Sequence, residues 1–214
     1  MILKHNLKSI LEVGAGANPT IRPEFINQHQ LNYVISDVDD VELKKSNDFY
    51  SKLVVDLSSS NFSLSQKFDL VFSRMVGEHI TNAKAFHKNV FSILNNNGVS
   101  FHCFSTLYSF PFLVNKIIPA GLSEFILDKI SPRDKHFHRK FKAHYNWSRG
   151  PSKKMISQFE NIGFEVIEYV GYFGHNYYIK FPVLNKLEHI KSKILLKFPV
   201  PILTSYAHLI LKKP

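Results

Sequence analysis

The chain has 214 residues, 44% of them hydrophobic, a single cysteine and a formal net charge of +10. One cysteine excludes a disulfide framework, and this length supports one core with appendages. There is no charged-then-apolar leader and no apolar run near the roughly 20 residues that cross a bilayer, so a cytoplasmic protein is expected.

The charge excess is concentrated. Residues 131–151 carry six basic groups against Asp134, and residues 183–214 carry six against Glu188, while the remaining Lys and Arg balance Asp and Glu. Confinement to two segments speaks for an anionic partner as strongly as for a solvated face.

In chain order, the apolar run Ile10, Leu11, Val13 reads as a buried strand, punctuated by Gly14 and Gly16 in "ILEVGAGANP". Further strands are expected to end at Ser36 ("NYVIS"), Val55 ("KLVV"), Ser73 ("FDLVFS") and Ser105 ("GVSFHCFS"). Cys103 lies in the last of these and reads as a small buried hydrophobe. Before that strand, Ala85, Phe86, Val90, Ile93 and Leu94 share one helical face, with Thr81 as N-cap and Gly98 as stop signal. Residues 107–150 are expected to form an insertion, with two short helices divided near Pro119–Gly121 and then a stretch rich in basic and aromatic groups. "KKMISQFENIGF" predicts an amphipathic helix, and the run around Gly171 and Gly174 predicts a pair of strands forming an antiparallel edge. Strands alternating with helices define an α/β fold with a doubly wound, mostly parallel sheet. The expected division is a domain over 1–182, with 107–150 as a lid after the fifth strand, and a basic amphipathic tail over 183–214.

Such sheets bind ligands at the carboxyl ends of their strands, where the two glycines lie. A dinucleotide fingerprint G-x-G-x-x-G would place a third glycine at Pro19, which has no N–H to offer a phosphate. The stretch Glu12 to Pro19 instead resembles the first motif of the class I S-adenosylmethionine-dependent methyltransferases. That resemblance implies a Rossmann-like seven-stranded sheet and S-adenosylmethionine as cofactor. It also implies cofactor contacts from Glu12, Gly14, Ala15, Gly16, Asn18 and Ser73, with Asp37 and its neighbour Val38 at the ribose. Asp56 would meet the adenine amino group beside the backbone amide of Leu57. A carboxylate suits a ribose because it accepts from both vicinal hydroxyls. Asn18 stands where a glycine is frequent, and "NNNG" replaces a Pro-Gly-Gly turn; asparagine tolerates left-handed backbone conformations, so neither change breaks the turn.

The acceptor is less legible. Ser73-Arg74-Met75-Val76 lacks the Asn/Asp-Pro-Pro-Tyr-like stretch of enzymes that methylate amino groups of nucleic acid and glutamine. Glu78-His79 resembles the pair common in small-molecule members. His79 is a candidate general base, since imidazole exchanges a proton near neutrality, although a histidine packed against the cofactor loop is the commoner finding. His138 and His144 are alternative bases. Arg74, Arg133, Arg139, Lys142, Tyr145 and Arg149 are candidate acceptor contacts, while Phe137, Phe141, Tyr145 and Trp147 also suit anchoring of the lid. Histidines without accompanying carboxylate or cysteine ligands predict no metal site. The segment ending in "WSRGP" loosely resembles methyltransferases of cell-envelope sugars.

The expected function is O-methylation of a hydroxyl on an anionic sugar, glycan or lipid-linked small molecule. RNA methylation and a non-catalytic cofactor-binding scaffold are the alternatives. In "VLNKLEHIKSKILLKF" an apolar helical face alternates with lysines, which suits packing on the domain, on a second copy, or on the anionic inner face of a membrane.

Overall fold

The computed structural model describes residues 1–108 and 142–214. Arg133, Phe137, His138, Arg139 and Phe141, assigned to a lid on the sequence, lie outside the described residues. The elements run β1 (Ser9–Val13), α1 (Pro23–His29), β2 (Asn32–Asp37), α2 (Asp40–Lys44), β3 (Ser51–Val54), β4 (Phe68–Arg74), α3 (Ala83–Ile93) and β5 (Leu94–Ser105). Beyond residue 142 come α4 (Lys153–Glu160), β6 (Glu165–Tyr172), α5 (Pro182–Lys197) and β7 (Tyr206–Lys212). The strands make one seven-stranded sheet in the order β3-β2-β1-β4-β5-β7-β6. β1 to β5 are parallel, and β7 runs antiparallel to both β5 and β6. The chain is thus α/β and Rossmann-like, with an antiparallel edge.

Two apolar layers sandwich the sheet. Leu11, Val13 and Val71 face α3 and α4, where Phe86, Val90, Ile93, Met155 and Phe159 cover them. Ile10, Ile35, Leu70 and Phe72 face the other side, under Ile26 and Leu43 of α1 and α2. Asn82 rather than Thr81 caps α3, its side chain accepting from the Ala85 amide at 3.1 Å, so the helix starts one residue later than predicted. α3 leads into β5 without a loop. Asn97 takes a left-handed conformation with φ of 61° there, and β5 shifts register against β4 between Phe68 and Leu70.

The edge differs from the sequence expectation in its connection. β6 forms as predicted, but its partner is β7, not the residues just after Gly174. Ala207, Leu209 and Leu211 alternate into the core, and β7 inserts between β5 and β6. A domain boundary at 182 therefore cuts through the sheet: residues 206–212 belong to the core, and only the part before them projects from it. Because Tyr206 pairs with both Ser105 and Tyr172, the excursion 173–205 emerges at the edge where β4 and β5 end. Among the described residues, no helix is long and apolar enough to cross a membrane.

Candidate functional site

The loop after β1 is tied down from three directions. The amides of Gly14 and Ala15 both donate to the Ser36 carbonyl, at 2.7 and 3.0 Å, and the Asn18 amide donates to the Ala15 carbonyl at 3.0 Å. From below, the buried Glu12 carboxylate accepts from the Thr20 amide at 2.9 Å, from the Thr20 hydroxyl at 2.5 Å and from the Tyr33 hydroxyl. Burial and the adjacent Glu12 charge push the Tyr33 phenol well above its ordinary range, so it stays a donor. Glu12, expected among the cofactor contacts, is instead a positioning residue: its oxygens are occupied by the loop they hold.

Gly14 has φ of 70°, and a Cβ there would collide with the Val76 side chain. Gly16 has φ of 49°, and a Cβ there would lie 3.6 Å from the Asp37 carboxylate. Both glycines are required by backbone conformation, and Gly14 also by close approach of the β4 loop. Asp37 closes β2 beside them. Its Oδ1 accepts from the Asp39 amide at 3.0 Å. Burial raises its carboxyl above the usual range, offset in part by amide bonds from Asp39, Val38 and Gly16. Next to it the apolar Val38 side chain is 60% exposed. The Val55 amide donates to the Asp37 carbonyl at 3.0 Å and so joins the β3 end to this corner. There Asp56 forms an Asx turn, its Oδ1 accepting from the amide and hydroxyl of Ser58, both at 2.7 Å. Leu57 is buried, and its carbonyl accepts from Asn89 Nδ2 at 2.9 Å.

These residues fit S-adenosylmethionine. A side chain at Gly16 would fill the space over the very carboxylate that would receive ribose hydroxyls, and Val38 offers an apolar surface beside it for an adenine ring. Gly14, Ala15, Gly16, Asn18, Asp37, Val38, Asp56 and Leu57 are brought to adjacent strand ends as the sequence implied. Ser73 is not. It is fully buried, and its hydroxyl bonds to His102 Nδ1 at 2.8 Å, directed into a small cavity that His87 and Trp147 also line. Burial pushes His102 down to about 3, so the Ser73 partner is a neutral interior ring.

At the ends of β4 and β5, a 3₁₀ turn (Gly77–His79) carries Glu78 and His79. The Glu78 carbonyl accepts the His144 and Tyr145 amides at 2.7 and 2.9 Å, so the chain at 144–145 is pinned along this turn. His79 Nδ1 donates to the Lys142 carbonyl at 3.0 Å, which leaves the lone pair of the neutral ring on Nε2. Glu78 itself is buried, and Oε1 accepts from the Ser105 hydroxyl at 2.9 Å. Oε2 has no hydrogen-bond partner among the described residues. Burial raises the Glu78 carboxyl, and His79 beside it pulls the other way. Tyr206, from β7, is held up by burial and by its neighbours Tyr177 and Glu78.

Two expected acceptor contacts have other work. Tyr145 is 2% exposed, with φ of 53°, and packs with Leu107 and Tyr206. Arg149 folds back on its own segment: its guanidinium donates to the Tyr145 and Ser148 carbonyls and sits 5.4 Å from the Tyr108 ring centre. Arg149→Ala is therefore expected to lower stability by roughly 1.5 to 3 kcal/mol, read by urea unfolding, without a selective effect on acceptor KM. Arg74 and Lys142 remain exposed at this end. Glu78 with Ser105, and Tyr206, were not predicted as site residues. Glu78 carried a signal in its pairing with His79, whereas nothing local marks Tyr206.

No protein-family model matches the chain, and no curated protein matches its sequence significantly. Solved structures do match. An S-adenosylmethionine-dependent methyltransferase from Mesorhizobium loti aligns with a TM-score of 0.58 and 11% identity, over 97% of this chain and 91% of that one. One from Clostridium acetobutylicum aligns with a TM-score of 0.54 and 14% identity, over 99% and 87%. The StiE O-MT aligns with a TM-score of 0.56 and 12% identity, over 98% and 69%. The chain has the class I S-adenosylmethionine-dependent methyltransferase fold. The [4+2]-cyclase SpnF also aligns, with a TM-score of 0.50 and 13% identity over 97% of this chain and 74% of that one, so reaction class rests on the site.

Proposed function

We propose that the chain transfers a methyl group from S-adenosylmethionine to a hydroxyl of an anionic sugar, glycan or lipid-linked small molecule. The observation that carries the cofactor half is the corner where Gly16 and Asp37 meet: a bare, left-handed backbone against a half-buried carboxylate at the carboxyl ends of β1 and β2. Amides of the Gly14–Asn18 loop, Asp37, Val38, Asp56 and Leu57 would hold the cofactor, which supplies an electrophilic methyl on a sulfonium. The chain must then align an acceptor oxygen and remove its proton. The tie between His79 Nδ1–H and the Lys142 carbonyl supports His79 as the base, since it fixes the tautomer whose lone pair is on Nε2. Arg74 and Lys142 supply positive charge for an anionic acceptor. The absence of the Asn/Asp-Pro-Pro-Tyr-like stretch disfavours amino groups of nucleic acid and of protein glutamine as acceptors.

Incubation of the full chain with methyl-labelled cofactor and host extract tests both halves. Alkali-stable label in the lipid or glycan fraction is the expected result, since an ether survives base and an ester does not. Label in RNA would overturn the acceptor class. Cofactor binding without label in any fraction would reduce the protein to a scaffold.

A further inference from the structure

We propose that α5 is an interfacial helix that lays the acceptor end of the sheet on an anionic lipid bilayer. The proposal deepens the reading of a lipid-linked acceptor and rests on it for its purpose, though not for its test.

The orientation of α5 on the domain is fixed by its inner face. Glu188 and Leu195 are buried there; Glu188 is paired with Lys191 at 2.6 Å and with His175 at 3.5 Å. A Cβ on Gly174 would come within 2.9 Å of Ser192 Oγ, so the preceding turn packs directly on the helix. With that face inward, Val183, Leu187, Ile190 and Ile194 recur at helical spacing as one outward stripe. All four are exposed, Val183 by 73% and Ile194 by 55%. Lys186, Lys193 and Lys197 follow the same repeat one step around the helix and are also exposed.

Two stripes of this kind describe a helix lying in the plane of a membrane surface: the apolar row enters the headgroup boundary, and the lysine stems reach beside it to anionic headgroups. The charge selects this occupant over a second copy. Apposing two α5 helices would set lysine rows on chains of net charge +10 against one another, whereas phosphate headgroups complement them. Position supports it as well. α5 lies in the excursion between Tyr172 and Tyr206, which pair where β5 ends at Ser105, so the segment that carries α5 leaves and rejoins the sheet at the end where the acceptor is proposed to bind.

Sedimentation of the full chain with phosphatidylcholine vesicles, with and without one third phosphatidylglycerol, tests this. Binding is expected only to the anionic vesicles at about 0.1 M salt, and its loss at about 1 M, where the screening length falls to roughly 3 Å. Replacing Lys186, Lys193 and Lys197 together by glutamine should weaken binding by on the order of 100-fold, about fivefold per lysine. Leu187→Gln with Ile194→Gln should also abolish binding while leaving the unfolding midpoint unchanged. Equal binding to neutral vesicles, or none to either, would overturn the proposal. So would a fall in the unfolding midpoint of the double variant, which would mean the stripe is packed within the chain, or a dimer that this variant dissociates. Vesicle binding without any methyl transfer would leave the surface standing and sink only the proposed function.

Discussion

Replacing His79 by alanine is expected to lower kcat by about 10² to 10⁴ while leaving cofactor affinity nearly unchanged. The expectation follows from tautomer control. The Nδ1–H of His79 is engaged by the Lys142 carbonyl, so the neutral ring presents its lone pair on Nε2. Asparagine at 79 keeps a donor for that carbonyl and removes the base. If His79 acts chemically, both variants lose turnover; if it merely pins the returning chain, asparagine restores what alanine loses. The neighbouring carboxyl gives a separate handle. Glu78 has its pKa raised by burial, so the folded state favours the protonated form. The sign follows directly: stability is full below the unfolded-state pKa and falls as pH rises toward the folded value. Glu78→Gln keeps an acceptor for Ser105 and should gain stability near neutrality relative to acid, with little loss of turnover. Wild-type kcat in His79→Ala, measured with a saturating acceptor, would remove His79 from the chemistry and shift attention to His144.

Asp37→Ala is expected to weaken S-adenosylmethionine binding by roughly 2 to 3 kcal/mol, about 30- to 150-fold by calorimetry. Two ribose hydroxyls would lose a charge-assisted acceptor, and burial around Asp37 lessens competition from water. The substitution also frees the amides of Gly16, Val38 and Asp39, which the carboxylate holds. Asp37→Asn separates these effects, because an amide oxygen can still accept from one of those N–H groups. An intermediate loss in the asparagine variant, with an unchanged unfolding midpoint, marks ligand recognition. Unaltered affinity in both variants would leave Asp37 as a loop cap only and would remove the main support for the cofactor site.

Gly14, Gly16, Asp37 and Asp56 were legible because strand-end glycines and acids announce themselves over a few residues. The left-handed φ values at both glycines show the sharp turn that the sequence called for. Ser73 was misplaced by the same kind of inference: it stands at a strand end, yet the alternation of β4 turns its hydroxyl toward His102, inside. Arg149 and Tyr145 were misread because a basic-aromatic run looks identical whether its side chains face a ligand or fold back on their own carbonyls. β7 was missed as a strand, although Ala207, Leu209 and Leu211 alternate, because the preceding lysine-rich helix made the whole end of the chain look like a tail.

By itself the sequence determined the alternation of strands and helices, the bare loop after β1 and the acid after β2, because periodicity and glycine requirements act within a few residues. The tertiary structure alone decided that residues 206–212 enter the sheet between β5 and β6, that Glu12 holds the loop through Thr20 and Tyr33, and that α5 leaves an apolar row exposed. Each of these depends on backbone pairing or desolvation between distant segments, as where the Thr106 hydroxyl donates to the Thr204 carbonyl. Those free energies arise only when the segments meet, and no local pattern carries them.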